Sequence, residues 1–131
     1  MTDLIMEKGK ESTYVLDDII AGMLILTGLS SFTGKPLDIH RFIYDERRKY
    51  TILNSFSFSQ DDIHPFSRVL ERVLSRLELS RIIGMENPDF DRFIIKPAGI
   101  DIIKNDVLPL FAEDEIEQLT GIAEDFKNSC C

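Results

Sequence analysis

The sequence predicts a mainly α-helical protein with one small β-hairpin, and two observations carry that prediction. From Phe66 to Leu77 the apolar residues recur at i, i+3, i+4, i+7, i+8 and i+11, which is the spacing of one buried helix face. Segments 82–85 and 90–96 are rich in β-branched and aromatic residues, and they flank the turn sequence Asn87-Pro88-Asp89. Together these patterns predict an amphipathic helix followed directly by a hairpin.

The length and composition predict a single domain over residues 1–131. A chain of 131 residues has the size of one domain, and its 44% hydrophobic content is enough for a core without disulfides or metals. We expect a core fold over residues 13–108, an acidic C-terminal helix over 109–128, and loose ends at 1–12 and 129–131. Cys130 and Cys131 are adjacent, so they cannot cross-link distant parts of the fold.

Two helices are predicted in the first half of the chain. Apolar residues cover a wide side of residues 15–29, which indicates a central helix, and Ser12 or Thr13 can cap it. A second helix is expected over about 38–50 with Asp38 as its N-cap. Its core-facing positions are Ile39, Phe42, Ile43 and Tyr50.

Three further helices are predicted in the second half. In the linker before them, Phe56 and Phe58 alternate with serines, which predicts either a short strand or an anchored loop. The amphipathic helix covers 65–79, and Asp62 or His64 can cap it. A fourth helix begins at Pro97 and is stopped or kinked at Pro109, and a fifth covers 113–127 with an acidic first turn.

The order helix, helix, helix, hairpin, helix, helix resembles the winged-helix superfamily. The resemblance covers roughly residues 15–108 and rests on helix 65–79, on the short hairpin, and on the sequence RFIIKPAG that leads into the next helix. It implies a winged-helix-like three-helix core plus a wing and two C-terminal helices. The commonest role of the superfamily is DNA binding, and other members mediate protein contacts, so the resemblance implies either function.

Three arginines lie on the polar side of helix 65–79. They are spaced i, i+4 and i+8, so they form one basic ridge opposite the apolar face. Arginine reads guanine edges and clamps phosphates, which makes the ridge a candidate contact surface for nucleic acid or a partner. The alternative is an ordinary solvated helix face, because Glu71 partly offsets the charge. Arg81 and Arg92 can extend the ridge. The candidate contact residues are therefore Arg68, Arg72, Arg76, Arg81 and Arg92.

The charge distribution favours protein contacts over DNA. The net charge is -8, and residues 97–131 alone carry eight acidic and two basic residues. The tip of the predicted hairpin holds Glu86, Asp89 and Asp91, whereas a wing on a phosphate backbone should present cations. The acidic helix 113–127 either packs back on the first helix or forms the seam of a homodimer.

No motif predicts an enzyme, a cofactor or a metal site. The segment from Gly28 to Lys35 differs from a P-loop, with five residues between its glycines and Pro36 where Ser or Thr must bind magnesium. His40 and His64 are expected to be surface or capping residues. The apolar stretch 19–26 is too short to span a membrane, and we expect a cytoplasmic protein.

Three functions of different classes therefore remain. The first is a non-enzymatic winged-helix interaction or regulatory module that acts through protein–protein contacts. The second is a DNA-binding transcriptional regulator that uses helix 65–79. The third is a small enzyme or ligand-binding protein, for which a deep pocket lined by His40 or His64 would be required.

Overall fold

The computed structural model describes residues 14–33, 36–59, 65–85 and 92–130. In these ranges five α-helices combine with a small antiparallel sheet, which agrees with the predicted mainly α-helical class. The helices are α1 (Leu16–Leu26), α2 (Pro36–Glu46), α3 (Arg68–Leu79), α4 (Pro97–Ile102) and α5 (Glu113–Cys130). The strands are β1 (Ser31–Thr33), β2 (Ile83–Met85) and β3 (Arg92–Ile95).

Helix α1 is the centre of the core, as its wide apolar side predicts. Every residue from Ile19 to Ile25 is buried, and the helix packs against α3, α5 and residues 103–107. At Gly22 a Cβ atom would lie 3.2 Å from a methyl group of Leu119 in α5. The missing side chain therefore lets α1 and α5 approach each other closely.

The two ends of α1 differ from the prediction. At its start the backbone N–H of Val15 donates to the carboxylate of Asp18, and the expected caps Ser12 and Thr13 lie outside the described residues. At its end the hydroxyl of Thr27 donates to a carbonyl of the last turn, and Gly28 adopts a left-handed φ of 74°. The helix is thus shorter than the predicted 15–29.

The hairpin is part of a three-stranded sheet in the order β1-β3-β2. Strand β3 pairs antiparallel with both neighbours, with Phe93 opposite Phe32 of β1 and Ile95 opposite Ile83 of β2. These four side chains are buried on one face, and the rings of Phe32 and Phe93 stack with centroids 5.2 Å apart. Strand β1 was not predicted from the sequence, and it extends the expected hairpin to a three-stranded sheet.

Helix α2 begins at Pro36, two residues before the predicted cap, so Asp38 lies in its first turn instead. The loop after α2 forms a short 3₁₀ turn at Thr51–Leu53 and then runs without strand pairing to Ser59. Phe56 is fully buried, and its carbonyl accepts a hydrogen bond from Arg47 at 2.9 Å. Of the two predicted alternatives, the aromatic segment is therefore an anchored loop.

The segment after β3 is an irregular helix. Pro97 occupies its first turn, as predicted, and regular α geometry ends at Ile102. Residues Ile103–Val107 form a wider π turn and Leu108–Leu110 a 3₁₀ turn that contains Pro109. The buried side chains of Ile103 and Val107 still face the core, so the change of helix type does not interrupt the packing.

Helix α5 packs back on α1, which is one of the two predicted alternatives. Its buried residues are Leu119, Ile122, Ala123 and Phe126. At its start the carboxylate of Glu115 accepts hydrogen bonds from the Ala112 N–H and the Tyr14 hydroxyl. A homodimer seam built from this apolar face would require the fold to open, so any self-association needs another surface.

Gly99 is expected to be essential for the docking of α4. A Cβ atom there would lie 2.9 Å from the Cα of Ile82, which is backbone and cannot move aside. Gly99→Ala should lower the free energy of unfolding by about 1–3 kcal/mol, measured by urea denaturation. Gly84→Ala is the control, because its Cβ would meet only the end of the Lys96 side chain. A control as costly as Gly99→Ala would contradict this interpretation.

Candidate interaction surface

Helix α3 presents one face to the core and the other to solvent. Its buried stripe consists of Leu70, Val73, Leu74 and Leu77, which are four of the six predicted positions. Val69 is half-buried, and Phe66 lies before the helix with 37% of its surface exposed. The expected caps were wrong, because the helix begins at Arg68 and Ser67 is the N-cap, its hydroxyl accepting from the N–H of Leu70 at 3.1 Å. Pro65 and Phe66 lie before the helix, where Ser59 donates its N–H to the Phe66 carbonyl.

His40 of α2 fixes the start of α3. The Nδ1 atom of His40 accepts from the N–H of Ser67 at 3.0 Å, so the ring proton lies on Nε2, which is 3.2 Å from Glu71. The imidazole also stacks on Phe66, with ring centroids 4.5 Å apart. His40 is 0% exposed, so the expectation of a surface or capping histidine was wrong. His64 lies outside the described residues.

The basic ridge is only partly available for contacts. Arg76 donates two hydrogen bonds of 2.7 Å to the two carboxylate oxygens of Asp17 in α1. These bonds raise the pKa of Arg76, so its guanidinium group is charged and is already bound to Asp17. Arg68 and Arg72 are exposed on the solvent face of α3. The ridge thus offers two arginines rather than three.

The other two candidate arginines lie beyond α3. Arg81 is exposed and has a left-handed φ of 64°, and it follows the last turn of the helix. There its N–H donates to Glu78 and the next N–H, of Ile82, donates to Leu77, which together form a Schellman ending. Arg92 begins β3, where its backbone pairs with Thr33. The acidic hairpin tip predicted at Glu86, Asp89 and Asp91 lies outside the described residues.

An apolar groove of about 470 Å³ lies between the start of α1 and the end of α3. The Asp17–Arg76 ion pair and Leu79 both line this groove, and 82% of the surface of Leu79 is exposed. A single exposed leucine is ordinary on a protein surface, but Leu79 is informative here because it lines an apolar groove. The groove is lined by Asp17, Asp18, Ala21, Arg76, Leu77, Leu79, Ser80, Ile82 and Val107.

The sequence contained one signal for this groove. Leu79 falls two residues after Leu77, outside the i, i+3, i+4 stripe, so it is an apolar residue on the polar side of the helix. The Asp17–Arg76 pair had no such signal, because its partners are 59 residues apart. The groove depends on how α1 crosses α3, which a sequence pattern does not specify.

No group of three or more His, Cys, Asp or Glu that can hold a metal ion occurs among the described residues. Within those residues, too, no helix is long and apolar enough to cross a membrane. A small enzyme or ligand-binding protein would require a deep pocket lined by His40 or His64, but His40 does not line this groove and His64 lies outside the described residues. Comparisons with protein-family models, curated proteins and solved structures gave no match for the chain.

His40 is expected to be a main determinant of how α3 is held. His40→Ala removes the acceptor for the buried Ser67 N–H and the stacking on Phe66, so the free energy of unfolding should fall by about 2–4 kcal/mol. Glu71→Gln is the control, since an amide oxygen can still accept from Nε2, and it should cost less than about 0.5 kcal/mol. Chemical denaturation of both variants measures the difference. A His40→Ala variant that is as stable as Glu71→Gln, with both close to the wild type, would show that His40 has no such role.

Proposed function

We propose that the chain is a winged-helix interaction or regulatory module that acts through protein–protein contacts in the cytoplasm. The fold supports the proposal in its order of elements: α3 is followed at once by the strands of a hairpin, and then by α4. The additional strand β1 pairs with β3 and so supports the hairpin from its other side. In this interpretation α3 takes the position of the recognition helix.

The observation that carries the proposal is how charged and apolar residues are arranged on the exposed surface of α3. Arg76, the ridge arginine nearest the end of α3, is bound by Asp17, and the apolar groove opens beside this pair. The exposed part of α3 also includes Glu71 and Glu78, which offset the charge of Arg68 and Arg72. A surface with apolar depth and little net charge suits a protein partner better than a phosphate backbone.

The charges of the chain indicate the chemistry of that partner. Beside the Asp17–Arg76 pair the groove is also lined by Asp18, and the chain as a whole carries a net charge of -8. A complementary segment would insert one or two apolar side chains next to Leu79 and carry basic residues at its edge. The basic residues would speed encounter with a chain of net negative charge, and the apolar contacts would supply most of the affinity.

Site-specific photo-crosslinking tests the protein-contact proposal. A photoreactive amino acid in place of Leu79 should give a discrete adduct with a protein in cells that make this chain. The matched control is the same amino acid at Ile102, which is 46% exposed and does not line the groove, and it should not give that adduct. Equal labelling from both positions, or adducts with nucleic acid alone, would contradict the proposal.

The second candidate is a DNA-binding regulator, and the exposure of Arg68 and Arg72 favours it. If α3 reads the major groove, Arg68→Ala with Arg72→Ala should weaken binding to duplex DNA at least tenfold, measured by fluorescence anisotropy. Arg76→Ala should matter much less, because Asp17 already binds that side chain. An unchanged affinity after replacement of all three arginines would exclude this mode of binding.

A further inference from the structure

A second cluster of charged groups joins the end of α2 to α5. Glu46, the last residue of α2, is buried at 6% exposure, and its Oε1 atom has no hydrogen-bond donor among the described residues. Lys49 lies 3.6 Å from the Oε2 atom of Glu46 and 3.0 Å from Asp125 of α5. The cluster borders a depression of about 330 Å³, around which the charged groups are Asp45, Glu46, Lys49 and Asp125.

A proton would satisfy the unpaired oxygen of Glu46. A carboxylate can only accept hydrogen bonds, whereas a protonated carboxyl group can donate one, and the carboxylate of Asp125 is within hydrogen-bond reach. Burial, followed by the hydrogen bond and the charge of Asp125, raises the pKa of Glu46 to about 7, although Lys49 opposes the shift. The hydrogen bond from Glu46 and the ammonium of Lys49 lower the pKa of Asp125.

We propose that Glu46 and Asp125 share a proton and form a pH-sensitive latch that holds the C-terminal half of α5 against α2. Beside the latch lies an aromatic contact that also holds α5 against α2. Phe126, the neighbour of Asp125, packs edge-on against Phe42 of α2 and Phe32 of β1, with ring centroids 5.0 and 4.9 Å apart. When Glu46 loses its proton, two carboxylates face each other with only Lys49 between them, and this part of α5 loosens.

The direction of the pH effect follows from the proton count. In the unfolded chain Glu46 has its ordinary pKa of 4.5, so between that value and about 7 the folded state binds the extra proton. Stability therefore decreases as the pH rises, by up to about tenfold in the folding constant per pH unit. The lowered pKa of Asp125 acts in the opposite direction, but only as the pH falls below its ordinary value of 3.8.

The test is the pH dependence of stability in three forms of the full chain. The wild-type folding constant should fall at least tenfold between pH 5 and pH 8. Glu46→Gln keeps a donor for Asp125 without the titrating group, so its pH dependence should be markedly flatter and it should be the more stable form at pH 8. Glu124→Gln is the control, because Glu124 is an exposed neighbour on α5 paired with Lys127, and its slope should equal that of the wild type.

A direct titration of the wild-type protein covers the case in which Glu46→Gln does not fold. The ¹³C signal of the Glu46 carboxyl group should titrate well above the other glutamates. The hydrogen-exchange protection factors of the amides near Phe126, which correct for the base-catalysed rise of the intrinsic rate, should fall over the same pH range. An ordinary Glu46 titration would overturn the latch, as would a Glu46→Gln variant with the wild-type slope. Neither result bears on the groove beside Leu79.

Discussion

The burial of α1 is the constraint on which the rest of the structure depends. All of its residues from Ile19 to Ile25 are buried, and it is in contact with α3, α5 and residues 103–107. A helix covered on several sides must be apolar nearly all round, and its neighbours must take positions that complete its cover. The crossing of α1 and α3 therefore sets both the groove beside Leu79 and the reach of Asp17 to Arg76.

Two buried polar groups then fix the elements around this core. His40, near the middle of α2, connects that helix to the N-cap of α3 by accepting the Ser67 N–H, and Glu46 connects the end of α2 to α5. Helix α2 thus holds α3 near its middle and α5 at its end. A buried polar group costs free energy unless its hydrogen bonds are complete, so such contacts favour one arrangement of helices over near alternatives. They differ in one respect. Both ring nitrogens of His40 have hydrogen-bond partners, whereas the unpaired Oε1 atom of Glu46 needs a proton to form a hydrogen bond.

The sequence predicted the local structure better than the contacts between elements. Most of the buried stripe of α3 follows from periodicity: Leu70, Val73, Leu74 and Leu77 are buried, whereas Phe66 lies before the helix and is exposed. Strand β1 could not be found in this way, because three residues carry no period and its partner β3 lies about 60 residues further on. The burial of His40 and Glu46 and the binding of Arg76 likewise depend on partners 27 to 79 residues away, which no local pattern encodes.

The salt dependence of DNA binding is the most direct test of the proposal that the α3 surface serves protein contacts. The affinity of the wild-type chain for a duplex should be measured against salt concentration. With Arg76 bound to Asp17, two free ridge arginines predict weak binding and a logarithmic slope of about -2. A slope of about -6 or steeper, together with a dissociation constant below about 0.1 µM at physiological salt, would contradict the claim.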